Sequence, residues 1–314
     1  MIDLFIFLGG VGFFLFGIRI MSEGLEKGIG EKMKTVVDKA TSNIYYSTAI
    51  GFLVSASLHS SSATTVMAVG FVNAGILDLY GATGIIMGAN IGTTLTGFMT
   101  ALNLSAYAPL SVFVGSVLLC FFKKKTYTYS GCIFLGTGLL FLGMKMMSEA
   151  VKPLESSEIF LRLFSSSTNP VICILAGTVI TCIIQSSTAG VGILQSLALQ
   201  NLISVNTAVY IVYGQNIGTV ITTLISSIGT SLNSKRTAFI HLYFNIIGTV
   251  LFLIITPITP FFEILKLFGE NPAMQISGAN LILNVVSTAV MLPFSKHFIR
   301  VSEKLLPSAV KSCK

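Results

Sequence analysis

Ile184-Gln185-Ser186-Ser187-Thr188-Ala189-Gly190 is a polar cluster inside an apolar run. From Leu163 to Ser234 the chain has no Asp, Glu, Lys, Arg or His. Hydroxyls and a carboxamide in such surroundings lie in hydrocarbon, where an unpaired polar group is costly. Neighbouring helices can satisfy them, or a bound ion can. Ser and Thr also offer the backbone local alternatives to helical bonding, so the cluster is expected to interrupt the helix that carries it.

Composition supplies the setting. The chain is 53% hydrophobic and 10% charged over 314 residues, with a mean hydropathy of +0.85. A soluble domain carries about 25% charged residues, so this is an integral membrane protein. Apolar windows of the ~20 residues needed to span a bilayer recur along the chain. Period-2 alternation is absent, which points to helices rather than a barrel. The expected fold is an all-α polytopic membrane protein.

The net charge of +7 comes from Lys and Arg in short loops and near the C-terminus, the pattern that orients membrane proteins rather than one that binds nucleic acid. Cys120, Cys132, Cys173, Cys182 and Cys313 form no CxxC and no metal spacing; they read as small apolar packers. Met1 to Ile20 lacks a basic n-region, carries Asp3 and is echoed later. It reads as a mature transmembrane helix and not a signal peptide.

Three motifs recur at one offset. Leu58-His59-Ser60-Ser61-Ser62-Ala63 precedes the opening cluster by 126 positions. The same offset relates Gly88-Ala89-Asn90-Ile91-Gly92-Thr93 to Gly214-Gln215-Asn216-Ile217-Gly218-Thr219, and Phe16–Glu23 to Leu142–Glu149. The chain therefore reads as a tandem duplication. Repeat one is placed at 1–122, a basic cytoplasmic link at 123–127, and repeat two at 128–258. A loop with an additional transmembrane helix follows at 259–300, then a cytoplasmic tail at 301–314. Within each repeat a first span is followed by a charged amphipathic piece (29–40 and 152–164) and a long apolar stretch broken by the Ser cluster. A span broken by the Asn-Ile-Gly-Thr motif and a last span complete it. In the final span Asn280 and Asn284 repeat the spacing of His241 and Asn245, and these four are expected to form buried interhelical hydrogen bonds.

Charge sets the topology. Arg19, Lys27, Lys32, Lys34 and Lys39 after the first span, and Lys123–Lys125 after the last, both belong in the cytoplasm. Repeat one then crosses an odd number of times and repeat two runs inverted. The N-terminus falls outside and the C-terminus in the cytoplasm. Inverted repeats with interrupted apolar segments at matching positions point to a secondary transporter with its site at the midplane.

A broken helix presents N–H groups that favour anions and carbonyls that suit a hard cation. The core lacks an Arg or Lys to clamp an anion and an Asp or Glu to hold sodium, Asp78 lying at a loop. An anion site would be built from backbone N–H groups and the hydroxyls of Ser60, Ser61, Ser62, Ser186, Ser187 and Thr188. Co-bound sodium would supply the compensating charge. The alternative is that these hydroxyls serve as packing and hydrogen-bond glue, typically worth about 0.6 kcal/mol each. Catalysis is not expected. His59 and Ser60 are adjacent and so point about 100° apart on a helix, no carboxylate orients the ring, and no nucleophile elbow is present.

With Gln185-Ser186-Ser187-Thr188, Ser60-Ser61-Ser62 and the paired Gly-x-Asn-Ile-Gly-Thr motifs in view, the chain resembles the type II sodium–phosphate cotransporter family, most nearly its bacterial branch, over residues 1–300. The resemblance implies sodium-driven phosphate symport in the bacterial inner membrane, with two opposed re-entrant hairpins forming the phosphate site. It assigns Ser60, Ser61, Ser62, Gln185, Ser186, Ser187 and Thr188 to phosphate. It assigns His59, Asn90, Thr93, Gln215, Asn216 and Thr219 to sodium, a co-substrate, with no other cofactor. His59 stands where the family has Gln, which brings an ordinary pKa of about 6.5 into the cluster, and Thr188 stands where it has Ser. Many bacterial members carry a PhoU-type helical domain after the transporter, whereas this sequence stops at Lys314. That leaves room for a separate PhoU-type regulatory protein, and for an oligomer. A carrier of another oxyanion such as sulfate or arsenate, and a non-transporting scaffold or sensor, are the alternative readings.

Overall fold

Apolar runs punctuated by polar breaks fold here into helices; the computed structural model describes residues 2–29, 43–102, 107–151 and 169–307. Among the described residues there is no strand. The N-terminal half contains α1 (Ile2–Ile29), α2 (Ile44–Leu58), α3 (Ser61–Asn73), α4 (Leu79–Ala101) and α5 (Ala108–Phe121). The second half contains α6 (Lys125–Val151), α7 (Pro170–Ile184), α8 (Ser187–Leu199), α9 (Val205–Ser226) and α10 (Leu232–Ile258). The short α11 (Phe261–Leu265), α12 (Pro272–Met291) and α13 (Ser295–Leu305) follow. The amphipathic pieces expected at 29–40 and 152–164 fall almost wholly outside the described residues.

Among the described residues, five segments are long and apolar enough to cross a bilayer: Asp3–Met21, Lys125–Met147, Val205–Ser226, Leu232–Ile258 and Pro272–Leu305. By contrast α2 and α7 have 15 residues each, and α3 and α8 have 13. At 1.5 Å per residue these are about 20–23 Å long, short of a ~30 Å hydrocarbon core. Each pair is one apolar stretch divided at its Ser cluster, as expected.

The break has the same form in both halves. His59 (φ 52°) and Gln185 (φ 58°) adopt the left-handed conformation that ends a helix. Ser60 (φ −151°) and Ser186 (φ −145°) are then extended. The Ser60 hydroxyl accepts from the Ala63 amide at 3.1 Å, and that of Ser186 from the Ala189 amide at 3.2 Å. Serine caps of this kind start the next helix.

The Asn-Ile-Gly-Thr motifs behave differently from expectation. They do not break their spans: α4 and α9 run unbroken through them. Their glycines serve close approach instead. A Cβ on Gly88 would fall onto the Thr48 carbonyl, and one on Gly214 onto that of Ile174, the position equivalent to Thr48. Gly92 meets Phe52 and Gly218 meets Thr178 in the same way. Glycine's helix penalty of about 1 kcal/mol is offset by the backbone contact it permits between α2 and α4, and between α7 and α9.

The halves meet along α1 and α6, which are equivalent helices running antiparallel. Gly10 lies against Gly143, and Gly17 against Gly136. Residues 10 and 136, and 17 and 143, are each 126 apart, so exchanging the halves turns one contact into the other. A second reciprocal pair lies deeper. The Thr249 hydroxyl of α10 donates to the Tyr213 carbonyl at 3.0 Å, and the Thr288 hydroxyl of α12 to the equivalent Met87 carbonyl at 3.3 Å. Helix α12 thus stands to α4 as α10 stands to α9.

Arg19–Glu23 and Lys145–Glu149 form exposed i,i+4 pairs at 3.1 and 3.9 Å. The Arg19 guanidinium beside it holds the Glu23 carboxyl below the usual carboxylate range.

Candidate functional site

The first-turn amides of a helix have no carbonyl within the helix to receive them. In α3 the Ser60 hydroxyl takes one of these, and in α8 the Ser186 hydroxyl takes one. The remaining first-turn donors are the amides of Ser61 and Ser62, and of Ser187 and Thr188. Each tip therefore offers two backbone N–H groups beside two hydroxyls, on helices that carry no Lys or Arg. Ser61 is buried, Ser62 and Ser187 are half-buried, and Thr188 is buried. Gln185 is exposed.

Each tip leans on the opposite half. The Thr188 hydroxyl lies 3.5 Å from that of Thr93 on α4. On the other side, the Thr65 hydroxyl of α3 lies 2.9 Å from Thr223 of α9, which lies 2.9 Å from His241 Nδ1 of α10. Among the described residues no hydrogen bond joins the Ser60–Ser62 cluster to Ser186–Thr188 directly; the links run through α4 and α9.

The residues assigned to sodium separate into two groups. Thr93 and Gln215 lie at the tip of the second broken pair. Gln215 is buried, and a Cβ on Gly190 in the first turns of α8 would meet its amide nitrogen at 2.5 Å. Its Oε1 is buried without a hydrogen-bond partner. A lone carbonyl oxygen in hydrocarbon costs about 1–3 kcal/mol, and it is the donor type a hard cation takes. The Thr219 hydroxyl is spent on the Gln215 carbonyl at 2.8 Å.

Asn90 and Asn216 lie in a different layer. Asn90 donates to Asn245 at 2.9 Å, and Asn216 donates to Asn280 at 3.3 Å while accepting from Asn284 at 3.4 Å. The hydrogen bonding expected of His241, Asn245, Asn280 and Asn284 is thus observed, with Thr223, Asn90 and Asn216 as partners. His59, unlike Gln185, is tied down: its Nδ1 lies 3.0 Å from the Thr96 hydroxyl on α4.

Gln195 on α8 is the polar residue that motif reading passed over. It is fully buried, accepts from Thr100 at 2.7 Å and donates to the Gly97 carbonyl at 2.9 Å and Ser277 at 2.8 Å. That knot fastens α8 to α4 and α12. A carboxamide in a charge-free apolar run was its signal, the same one that Gln185 gave. Among the described residues no group of three or more His, Cys, Asp or Glu could hold a metal ion.

Comparison with known proteins places this geometry in a family. The Na+/Pi-cotransporter family pattern matches residues 13–149 and again 141–270. The uncharacterised protein YqeW of Bacillus subtilis is 29% identical over 98% of this chain and all of the relative. YjbB of Escherichia coli, whose name proposes inorganic phosphate export, is 26% identical over 98% of this chain and 56% of the relative. The human sodium-dependent phosphate transport protein 2B is 26% identical over 60% of this chain and 28% of its own length. The chain thus spans all of YqeW but about half of YjbB. No solved structure matches.

Proposed function

Because this chain belongs to the Na+/Pi-cotransporter family, we propose that it is a sodium-coupled carrier of inorganic phosphate and not an enzyme. Phosphate is bound between two inverted repeats, 1–122 and 128–258, by the tips at Ser60–Ser62 and Gln185–Thr188. The observation that carries this reading is the pairing of two equal helix breaks. Each offers first-turn N–H groups and hydroxyls on a broken pair of helices that carries no Lys or Arg.

An anion cannot be desolvated there by dipoles alone without large cost. Sodium held by Gln215, Thr93 and the carbonyls that close α2 and α7 lowers that cost, and phosphate lowers the cost of burying sodium. Coupling follows, since each ion strengthens the site of the other. His59, Asn90, Asn216 and Thr219 complete the proposed sodium set, the asparagines by tying α4 to α10 and α9 to α12. The antiparallel α1–α6 contact supports the inverted arrangement, with the N-terminus outside and the C-terminus in the cytoplasm. A PhoU-type partner and an oligomeric carrier fit the same reading.

The test is radiolabelled phosphate uptake into proteoliposomes with a sodium gradient, with choline replacing sodium and with sulfate as competitor. Sodium-dependent uptake that sulfate leaves intact is expected; uptake indifferent to sodium overturns the coupling. The name of YjbB favours outward movement in the cell, and release from phosphate-loaded vesicles under a reversed gradient tests it.

A further inference from the structure

The imidazole of His241 on α10 is the buried end of a hydrogen-bond chain that leads to the first helix break. Its Nδ1 lies 2.9 Å from the Thr223 hydroxyl of α9, which lies 2.9 Å from that of Thr65 on α3. The Thr65 hydroxyl donates to the Ser62 carbonyl at 3.1 Å. On the far side of that peptide, the Ala63 amide donates to the Ser60 hydroxyl at 3.1 Å. His241, Thr223 and Thr65 are each 0% exposed, so solvent does not compete for these bonds. The other ring nitrogen, Nε2, is buried without a hydrogen-bond partner.

The chain has a direction. A hydroxyl has one proton to give. The proton of Thr65 goes to the Ser62 carbonyl, so Thr65 accepts from Thr223, and Thr223 accepts from His241. All three bonds form together only when Nδ1 carries the proton and Nε2 is bare. The opposite order would cost the Thr65–Ser62 bond and leave Nε2 an unpaired donor instead. A bare nitrogen in this interior is expensive, and its retention calls for an explanation. Hydrogen bonds in series polarise one another, and a carbonyl that accepts one makes the N–H of its own peptide a better donor. The Ala63 amide thus holds the Ser60 oxygen toward α3, which leaves the Ser60 proton for a ligand at the tip.

The second half has no counterpart to this chain. The positions equivalent to Thr65 and Thr223 are Val191 and Gly97, which have no hydroxyl. Gln195 fastens the corresponding helices α8, α4 and α12 there, through Thr100, Gly97 and Ser277, and none of those bonds reaches the Ser186 cap. We propose that His241 is a positioning residue of the first tip. Acting through Thr223 and Thr65, it sets the Ser60 hydroxyl as a donor to the bound oxyanion while remaining out of contact with it. The oxyanion is the phosphate of the carrier reading above, on which this inference rests. The two tips are then unequal, the first tuned by a distant imidazole and the second fixed by a carboxamide.

The test measures phosphate uptake into proteoliposomes at saturating sodium, and separates the half-saturating phosphate concentration from the maximal rate. His241→Leu fills the space without a donor and is expected to raise half-saturating phosphate about three- to tenfold. His241→Asn restores an N–H near the Nδ1 position and is expected to stay within about twofold of the wild type. Both leave the His241 carbonyl, which receives the Asn245 amide. Thr223→Val cuts the middle link and reads the same loss even where His241→Leu does not fold. Links in series are not additive, so the double variant should be no worse than the worse single one. A residue that only packs would lower the melting midpoint and the maximal rate without moving half-saturation, and that result overturns the proposal. A His241→Leu defect that His241→Asn leaves uncorrected overturns it as well. Wild-type uptake with unshifted variants sinks the positioning role alone. A wild type that carries no phosphate sinks it together with the carrier reading.

Discussion

The hydroxyls of Thr93 and Thr188 lie 3.5 Å apart, one on the unbroken α4 of the N-terminal half and the other in the first turn of α8 in the second. This contact ties a helix tip to the opposite repeat without any charged group. If the tips bind phosphate, removing a hydroxyl should harm transport far more than folding. Ser187→Ala and Ser61→Ala are expected to lower sodium-dependent uptake about ten- to hundredfold, the loss of one hydrogen bond to a charged ligand. Stability should fall by only roughly 0.6 kcal/mol. Uptake and thermal melting on the same preparations check both numbers.

Thr93→Val and Thr188→Val test whether that contact acts as a unit. Each keeps the volume and removes the hydroxyl. Residues in direct contact give non-additive effects, so the double variant should lose no more uptake than the worse single one. Additive losses would show that the two hydroxyls act apart.

His59 and Gln185 share a left-handed backbone, and Gln at 185 tolerates φ 58°. His59→Gln is therefore expected to fold and to keep uptake within about threefold, roughly 0.6 kcal/mol, since a carboxamide can still reach Thr96. His59→Val places a β-branched residue at a positive φ that such side chains avoid. It should abolish uptake and lower the melting temperature.

Gly88→Ala and Gly214→Ala should be similar in cost, because each new methyl meets a carbonyl at an equivalent place, Thr48 or Ile174. Overpacking of this kind costs about 1–3 kcal/mol. Two thermal melts suffice, and a tolerant Gly88→Ala beside a severe Gly214→Ala would show that the halves do not share their packing.

Gln195→Leu deletes the knot that joins Thr100, Gly97 and Ser277. Thr100 and Ser277 keep their backbone acceptors, so the loss of the carboxamide's own bonds is expected to cost roughly 2 kcal/mol, read as a lowered midpoint of unfolding in detergent.

Much of this was legible in the sequence because polar residues in hydrocarbon have few permitted uses. The Ser clusters announced the two helix breaks, and the 126-residue offset announced that the breaks match. His241, Asn245, Asn280 and Asn284 announced buried hydrogen bonds by spacing alone. The Asn-Ile-Gly-Thr motif misled in one respect, the break expected in its span: Gly88 and Gly92 serve close approach to α2, a neighbour that no local window contains. Partners across the fold were hidden for the same reason. Nothing near Thr93 in the chain points to Thr188, and nothing near His241 shows that its Nε2 is left alone.

The contacts Gly10–Gly143 and Gly17–Gly136 form an interface that maps onto itself when its two sides are exchanged, as the interface of a symmetric homodimer does. Here both subunits are one polypeptide, so the symmetry binds the backbone but not the side chains. A change at Gly17 leaves Gly143 as it was. Each side is free to specialise alone, and His59 opposite Gln185 is one place where this chain has done so.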